Sequence, residues 1–278
     1  MKTTRKYLCL LLMVSTLLWG CGEPAPAETT QVLTETTETT MEPTTEATLP
    51  PVTSEDALQQ AMENSLWVTM EGDIGLTEEI VVKGHTLNGG GYTLTGIPYV
   101  ENDPATENAV VLTSGSVENV RIIGAYRCLG DTEENAVAKD ISISNVYADG
   151  TLYALNFGYG SRGDFLYVEN STLLGWTNFH RLESAEFVNC TFGWNSAGNG
   201  GHFRAYVSAR LVGCRFEGKT DKNGNYVPYN IDFSSSYSGI KLYLEDCYVG
   251  DTLITQENLT RLLKVSAHGN EVIVRNTN

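Results

Sequence analysis

Apolar and polar positions alternate with a period of two on either side of one recurring polar residue, and this motif repeats along the chain. Seven segments align without gaps: GSVENVRI, ISISNVYA, LYVENSTL, AEFVNCTF, ARLVGCRF, LYLEDCYV and VIVRNT. The polar slot holds Asn119, Asn145, Asn170, Asn189, Gly213, Asp246 and Asn276. Ahead of it, alternate positions collect Val117, Ile143, Val168, Phe187, Leu211, Leu244 and Val274; after it come Ile122, Ala148, Leu173, Phe192, Phe216 and Val249. Such alternation, interrupted by one polar residue, predicts two short strands joined by a tight turn. Asn or Gly at the joint fits a left-handed backbone, and Gly124, Gly150, Gly175 and Gly218 follow two residues after the second strand in four repeats. The slot recurs at intervals of 26, 25, 19, 24, 33 and 30 residues. Unequal spacing suits a parallel β-solenoid, whose loops vary while its strands keep register; helical repeats would show a 3.6-residue period instead.

Over roughly residues 75–278 this pattern resembles the right-handed parallel β-helices of the pectate-lyase-like superfamily. The resemblance implies an all-β fold in which Asn side chains stack as an internal ladder at the turns. Flanking signals agree. Residues 54–64 (SEDALQQAMEN) predict an amphipathic helix with Thr53 or Ser54 as N-cap and Glu55 and Asp56 facing the positive end of its dipole. Residues 54–74 are thereby expected to form a helix and cap over the open end of the stack. GHTLNGGGYTLTG (residues 84–96) predicts the first repeat, turning on Asn88 and the three glycines after it. QENLTRLLK (residues 256–264) predicts a short helix before a last strand, Glu271–Arg275.

The amino-terminal end reads as an address. Lys2, Arg5 and Lys6 precede an apolar run over residues 7–19, of signal-peptide length. Leu18, Trp19, Gly20 and Cys21 then resemble the lipobox of bacterial lipoproteins. That resemblance implies a signal peptide over residues 1–20, a lipidated Cys21 and a membrane partner reached through the acyl chains. Residues 21–53 contain eleven Thr, six Glu and five Pro with no Lys or Arg, a composition that buries too little to fold. As an extended spacer at about 3 Å per residue it reaches on the order of 100 Å, enough to cross a thick cell wall. A lipid-anchored protein on the outer face of a Gram-positive membrane is the expected location. The chain carries a formal charge of −16; setting aside three positive charges in the leader and six glutamates in the linker leaves −13 on the remainder. A surface this acidic argues against nucleic acid and against general attraction to anionic lipid. No second apolar span is visible, and a monomer is expected.

Cys190, Cys214 and Cys247 occupy one slot in three successive repeats, where other repeats place Val120, Val146, Ser171 and Thr277. A tight interior position accepts that set, so buried thiols are favoured over a disulfide, with Cys128 outside the stack. Stacked thiols do not converge on a tetrahedral zinc site.

The candidate binding residues come from the same alignment. Arg162, Arg181 and Arg204 fall at similar offsets in three adjacent repeats, beside His180 and His202, with Trp176, Phe179, Trp194, Phe203 and Tyr206 in the expected loops. Arginines with aromatics suit a groove for a sugar chain, acidic ones in particular; alternatively the arginines pair with Asp164, Glu183 and nearby carboxylates. The catalytic groupings of the resembled superfamily do not match: Gly201 and His202 are followed by Phe203, and neither an Asp-Asp pair nor an Arg-x-Lys occurs. Asp164, Glu183 and Asp232 are carboxylates for a hydrolase, but nothing in the sequence groups them. DKNGNYVPYNID (residues 221–232) spaces oxygen side chains like a calcium loop, yet Tyr226 stands where glycine is needed, so a hairpin turning at Asn-Gly is preferred over calcium. The leading expectation is a non-catalytic surface lipoprotein that binds glycan or another envelope or host component, without a cofactor. A polysaccharide lyase or glycoside hydrolase, and an adhesive or structural spacer, are the alternatives.

Overall fold

In a computed structural model, described at residues 51–101, 106–131, 139–157, 163–180 and 182–277, the chain is all-β: one large curled sheet of mainly parallel strands. The leader, Cys21, the linker up to residue 50, Arg162 and Arg181 lie outside the described residues. Among the described residues no helix is long and apolar enough to cross a membrane.

The repeats stack in three parallel ladders, the last repeat contributing to the first alone. The first ladder pairs Val68 with Leu87, then Val117, Ile143, Val168, Phe187, Leu211, Leu244 and Val274 in succession. The second pairs Ile74, Leu94, Ile122, Ala148, Leu173, Phe192, Phe216 and Val249. These are the two apolar columns of the sequence alignment, residue for residue, extended toward the amino terminus. The first strand, Trp67–Thr69, already belongs to the ladder and lies within the stretch assigned to helix and cap.

A third ladder lies outside the aligned motif: Ile80, Val110, Leu129, Leu155, Thr177, Phe203, Ile231 and Val265. Inward residues of all three meet in a core rich in aromatic rings, where Phe203 lies 5.3 Å from Phe179, 5.4 Å from Phe187 and 5.1 Å from Phe192, centroid to centroid. Phe179 and Phe203, expected among loop aromatics, are therefore fully buried core residues. They sit on strands, and the pleat turns them inward.

Six of the seven turn slots adopt the left-handed conformation: Asn119, Asn145, Asn170, Asn189 and Asp246 at φ between 48° and 52°, and Gly213 at 61°. The asparagines do form ladders, Asn145 Nδ2 donating to Asn119 Oδ1 at 3.0 Å and Asn189 Nδ2 to Asn170 Oδ1 at 3.4 Å. The internal placement is corrected, however. Asn145, Asn170 and Asn189 are exposed, and the residue after each slot (Val120, Val146, Ser171, Cys190, Cys214, Cys247) is buried in its place. A left-handed joint reverses which side chain faces the interior, and the polar one keeps its water. Asn145→Ala should cost about 1–2 kcal/mol more than Asn145→Gly, because both lose the hydrogen bond to Asn119 and only alanine also opposes the left-handed backbone; equal melting points for the two variants would contradict this.

The helix Glu55–Asn64 forms as expected, with the Ser54 side chain accepting from the Ala57 amide at 3.3 Å and Leu58 and Met62 buried in the core. Glu55 also reaches across to accept from the Thr77 and Glu78 amides at 2.8 and 2.7 Å. The later helix is shorter than expected, only Leu259–Leu262, and Glu271–Arg275 is a strand as anticipated. Lys219–Thr220 and Tyr226–Val227 pair antiparallel, making residues 221–225 a hairpin loop whose Asp221 carboxylate accepts from the Asn223 and Asn225 amides, each at 2.8 Å. All four cysteines of the folded region are buried and unbridged. Burial pushes the thiols of Cys128 and Cys214 well above the usual range, so they stay protonated.

Candidate functional site

The outward face of the third ladder carries the chemistry. Strand alternation sends Thr177 and Phe179 inward and leaves Trp176 and Asn178 outside; the next strand sends Phe203 and Ala205 inward and leaves His202 and Arg204 outside. One file of outward positions runs Asn108, Arg127, Tyr153, Trp176, His202, Asn230 and Lys264, each paired with the next. The neighbouring file runs Asn156, Asn178, Arg204, Asp232 and Ser266.

Aromatic rings touch along this face from repeat to repeat. Centroid separations are 4.1 Å from Tyr99 to Tyr126, 5.8 Å to Tyr153, 5.4 Å to Trp176 and 4.7 Å to His202. The Arg204 guanidinium lies 5.6 Å from the Trp176 ring centre. His180 stacks on Tyr206, 3.2 Å between centroids. Four of the expected residues, Trp176, His180, His202 and Arg204, are thus brought together. Trp194 lies in the preceding loop, packed against Gly201 and beneath Lys219 Nζ at 3.8 Å, with its indole nitrogen buried.

Polar groups on the outside of a sheet ordinarily meet water, but several here are screened. Asn156 is 1 % exposed and Asn178 6 %. Asn178 Nδ2 donates to Asn156 Oδ1 at 2.7 Å and lies 3.2 Å from His180 Nε2. That leaves Asn156 Nδ2 and Asn178 Oδ1, one donor and one acceptor, buried without a protein partner. Unmatched buried polar atoms are costly and cluster where function requires them.

Asp232 anchors the other end. Its Oδ2 accepts from Arg204 Nε at 2.7 Å and lies 2.7 Å from Nη2, and His202 Nε2 and His268 Nε2 stand 3.5 Å from its two oxygens. Burial, with Arg204 beside it, holds His202 below the usual imidazole range despite Asp232, so His202 is neutral at neutral pH. Next to this cluster is a cavity of about 120 Å³ lined by Arg204, Tyr206, Asp232, Ser234, Ser235 and His268. At the opposite end Arg127 Nη1 pairs with Glu107 at 2.5 Å, and Asn108 Nδ2 lies 3.4 Å from Glu79. Burial raises the Glu79 carboxyl, and Glu107 adds to it.

Arg204 thus pairs with a nearby carboxylate, Asp232, the kind of partner the alternative reading of the arginines expected. Glu183 is exposed, and the side chain of Asp164 lies outside the described residues. Sequence reasoning missed Tyr99, Tyr126, Tyr153, the buried amides and the Arg204–Asp232 pair. A short signal for part of this existed in HFRA and NIDF, which align as polar, apolar, polar, apolar at residues 202–205 and 230–233. The face offers ring surfaces, amide donors and acceptors, and a carboxylate–guanidinium pair, an inventory suited to gripping hydroxyl-rich molecules. Comparison with protein-family models, with curated proteins and with solved structures finds no match for this chain.

Proposed function

We propose that this chain is a lipid-anchored surface protein whose repeats wind as a right-handed parallel β-helix, capped by the helix Glu55–Asn64, and that the outward face of its third ladder binds a glycan. The lipobox-like residues through Cys21 and the Thr/Glu/Pro-rich spacer support the anchoring. The succession of three parallel ladders from strand to strand, continued through local register shifts, supports the winding. One observation carries the binding role: the ring file from Tyr99 to His202 continues from repeat to repeat along one outward face of the sheet. Rings recurring near the inter-strand distance, edge to face from Tyr126 to Trp176, give a sugar chain a run of apolar surface, and the polar groups around Arg204 and Asp232 beside it can contact hydroxyls.

The test is glycan-array binding by the full chain and by Trp176→Ala, with a thermal melt of both. Loss of one central platform should weaken binding about tenfold or more, equivalent to about 1.4 kcal/mol, while the melt moves little because Trp176 is outside the core. Array binding that Trp176→Ala leaves unchanged, or no binding to any glycan, would remove this reading.

A further inference from the structure

The two arginines on this face, Arg127 and Arg204, are already matched by carboxylates, and that bears on which sugars it takes. Arg204 Nε donates to Asp232 Oδ2 at 2.7 Å with Nη2 at the same distance from that oxygen, Nη1 reaches the Tyr206 hydroxyl at 3.5 Å, and Arg127 is paired with Glu107 at 2.5 Å. A guanidinium whose Nε edge is occupied and whose charge is offset by an adjacent carboxylate draws a second carboxylate less strongly. Moreover, an incoming acid group at this end meets the Asp232 charge at close quarters, on a folded region that is itself strongly acidic. Lys264, at the far end of the outward file, carries a charge, but the polar side chains between it and Arg127 other than the Arg204–Asp232 pair, namely Asn156, Asn178, His202 and Asn230, bring no full charge at neutral pH. The 120 Å³ cavity is lined by the Ser234, Ser235 and Tyr206 hydroxyls around Asp232. At about 30 Å³ of liquid volume per water it has room for a few water-sized groups, such as one hydroxymethyl arm with a neighbouring hydroxyl.

We propose that the face takes an uncharged sugar chain, and that Asp232 is its specificity-determining residue, cancelling Arg204 and turning away carboxylate-bearing sugars. This rests on the glycan-binding reading above and narrows it. Neutral sugars therefore bind through the rings and the polar lining of the cavity around Asp232, with an affinity that salt barely changes. Removing the Asp232 charge releases Arg204 and opens the site to acidic chains.

The experiment is titration of the full-length protein with cellohexaose, mannohexaose, N-acetylchitohexaose and hexagalacturonate at low and high salt. The same titrations are run on Asp232→Asn and on Asp232→Asn combined with Arg204→Gln. Wild type should bind at least one neutral hexamer, with little salt dependence, and prefer it to hexagalacturonate. Asp232→Asn should gain about tenfold or more in hexagalacturonate affinity, a gain that high salt suppresses and the second substitution abolishes. Should Asp232→Asn fail to fold, the wild-type preference and its salt response decide the matter alone. Salt-sensitive preference of wild type for hexagalacturonate overturns this proposal and leaves glycan binding standing. Failure of every sugar to bind overturns both.

Discussion

Phe203→Ala should lower the unfolding free energy by about 3–5 kcal/mol, the range for emptying a fully buried aromatic position, read as a displaced denaturant midpoint. Few positions are as connected. Phe203 comes from the third ladder and touches Phe187 of the first and Phe192 of the second, as well as Phe179 of its own. It is where the three walls meet, and deleting its ring leaves a void bounded by rigid strands that cannot close around it. Phe203→Leu, keeping most of the volume, should recover much of the loss. A midpoint for Phe203→Ala close to wild type would mean that the walls do not meet there.

Gly115→Ala should be comparably damaging for a different reason. Gly115 sits at φ +94° at an irregularity in the ladder register, and a Cβ there would collide with the carbonyl oxygen of His85 and lie 2.8 Å from its amide nitrogen. The obstacle is neighbouring backbone, which has no rotamer to yield, so the ladder itself must part. Backbone strain alone is worth about 1–3 kcal/mol, and the collision adds to it. Gly124→Ala is the matched control: φ is +79° and nothing lies within 4 Å of the added carbon. Thermal melts of the pair should show the Gly115 variant falling well below the Gly124 variant; equal melts would mean that the close approach of Gly115 to His85 is not felt.

Two of the three ladders were legible in the sequence because their residues keep a fixed distance from a conspicuous turn. Val117, Ile143 and Val168 align by eye, and their pairing follows the alignment without a slip. Local chemistry was equally readable at Ser54, at the Asn-Gly hairpin and at Glu271–Arg275. The third ladder was hidden because loops of unequal length separate it from the turn, because its alternation lasts only four residues in His202–Ala205 and Asn230–Phe233, and because Trp176–Phe179 turns Thr177 inward and Trp176 outward against their residue types. That is why Phe179 and Phe203 looked like loop aromatics. The exposed asparagines were misplaced for another reason: the column was readable, but which side of the wall it faced depends on the turn geometry, which spacing does not encode. Arg204 and His202 were picked out on residue type, whereas Asp232 became their partner only through a pairing across 28 residues of chain.

The ladders also limit how far damage travels. Each repeat is hydrogen-bonded to the one before and the one after, and to little beyond, so the energy holding any repeat is largely a sum over adjacent interfaces. A lesion near Glu271–Arg275 shaves one end and spares the rest, whereas the same lesion near Phe187 divides the molecule into two short piles, each with a freshly cut surface. Where along the axis a change falls should therefore matter as much as what it removes.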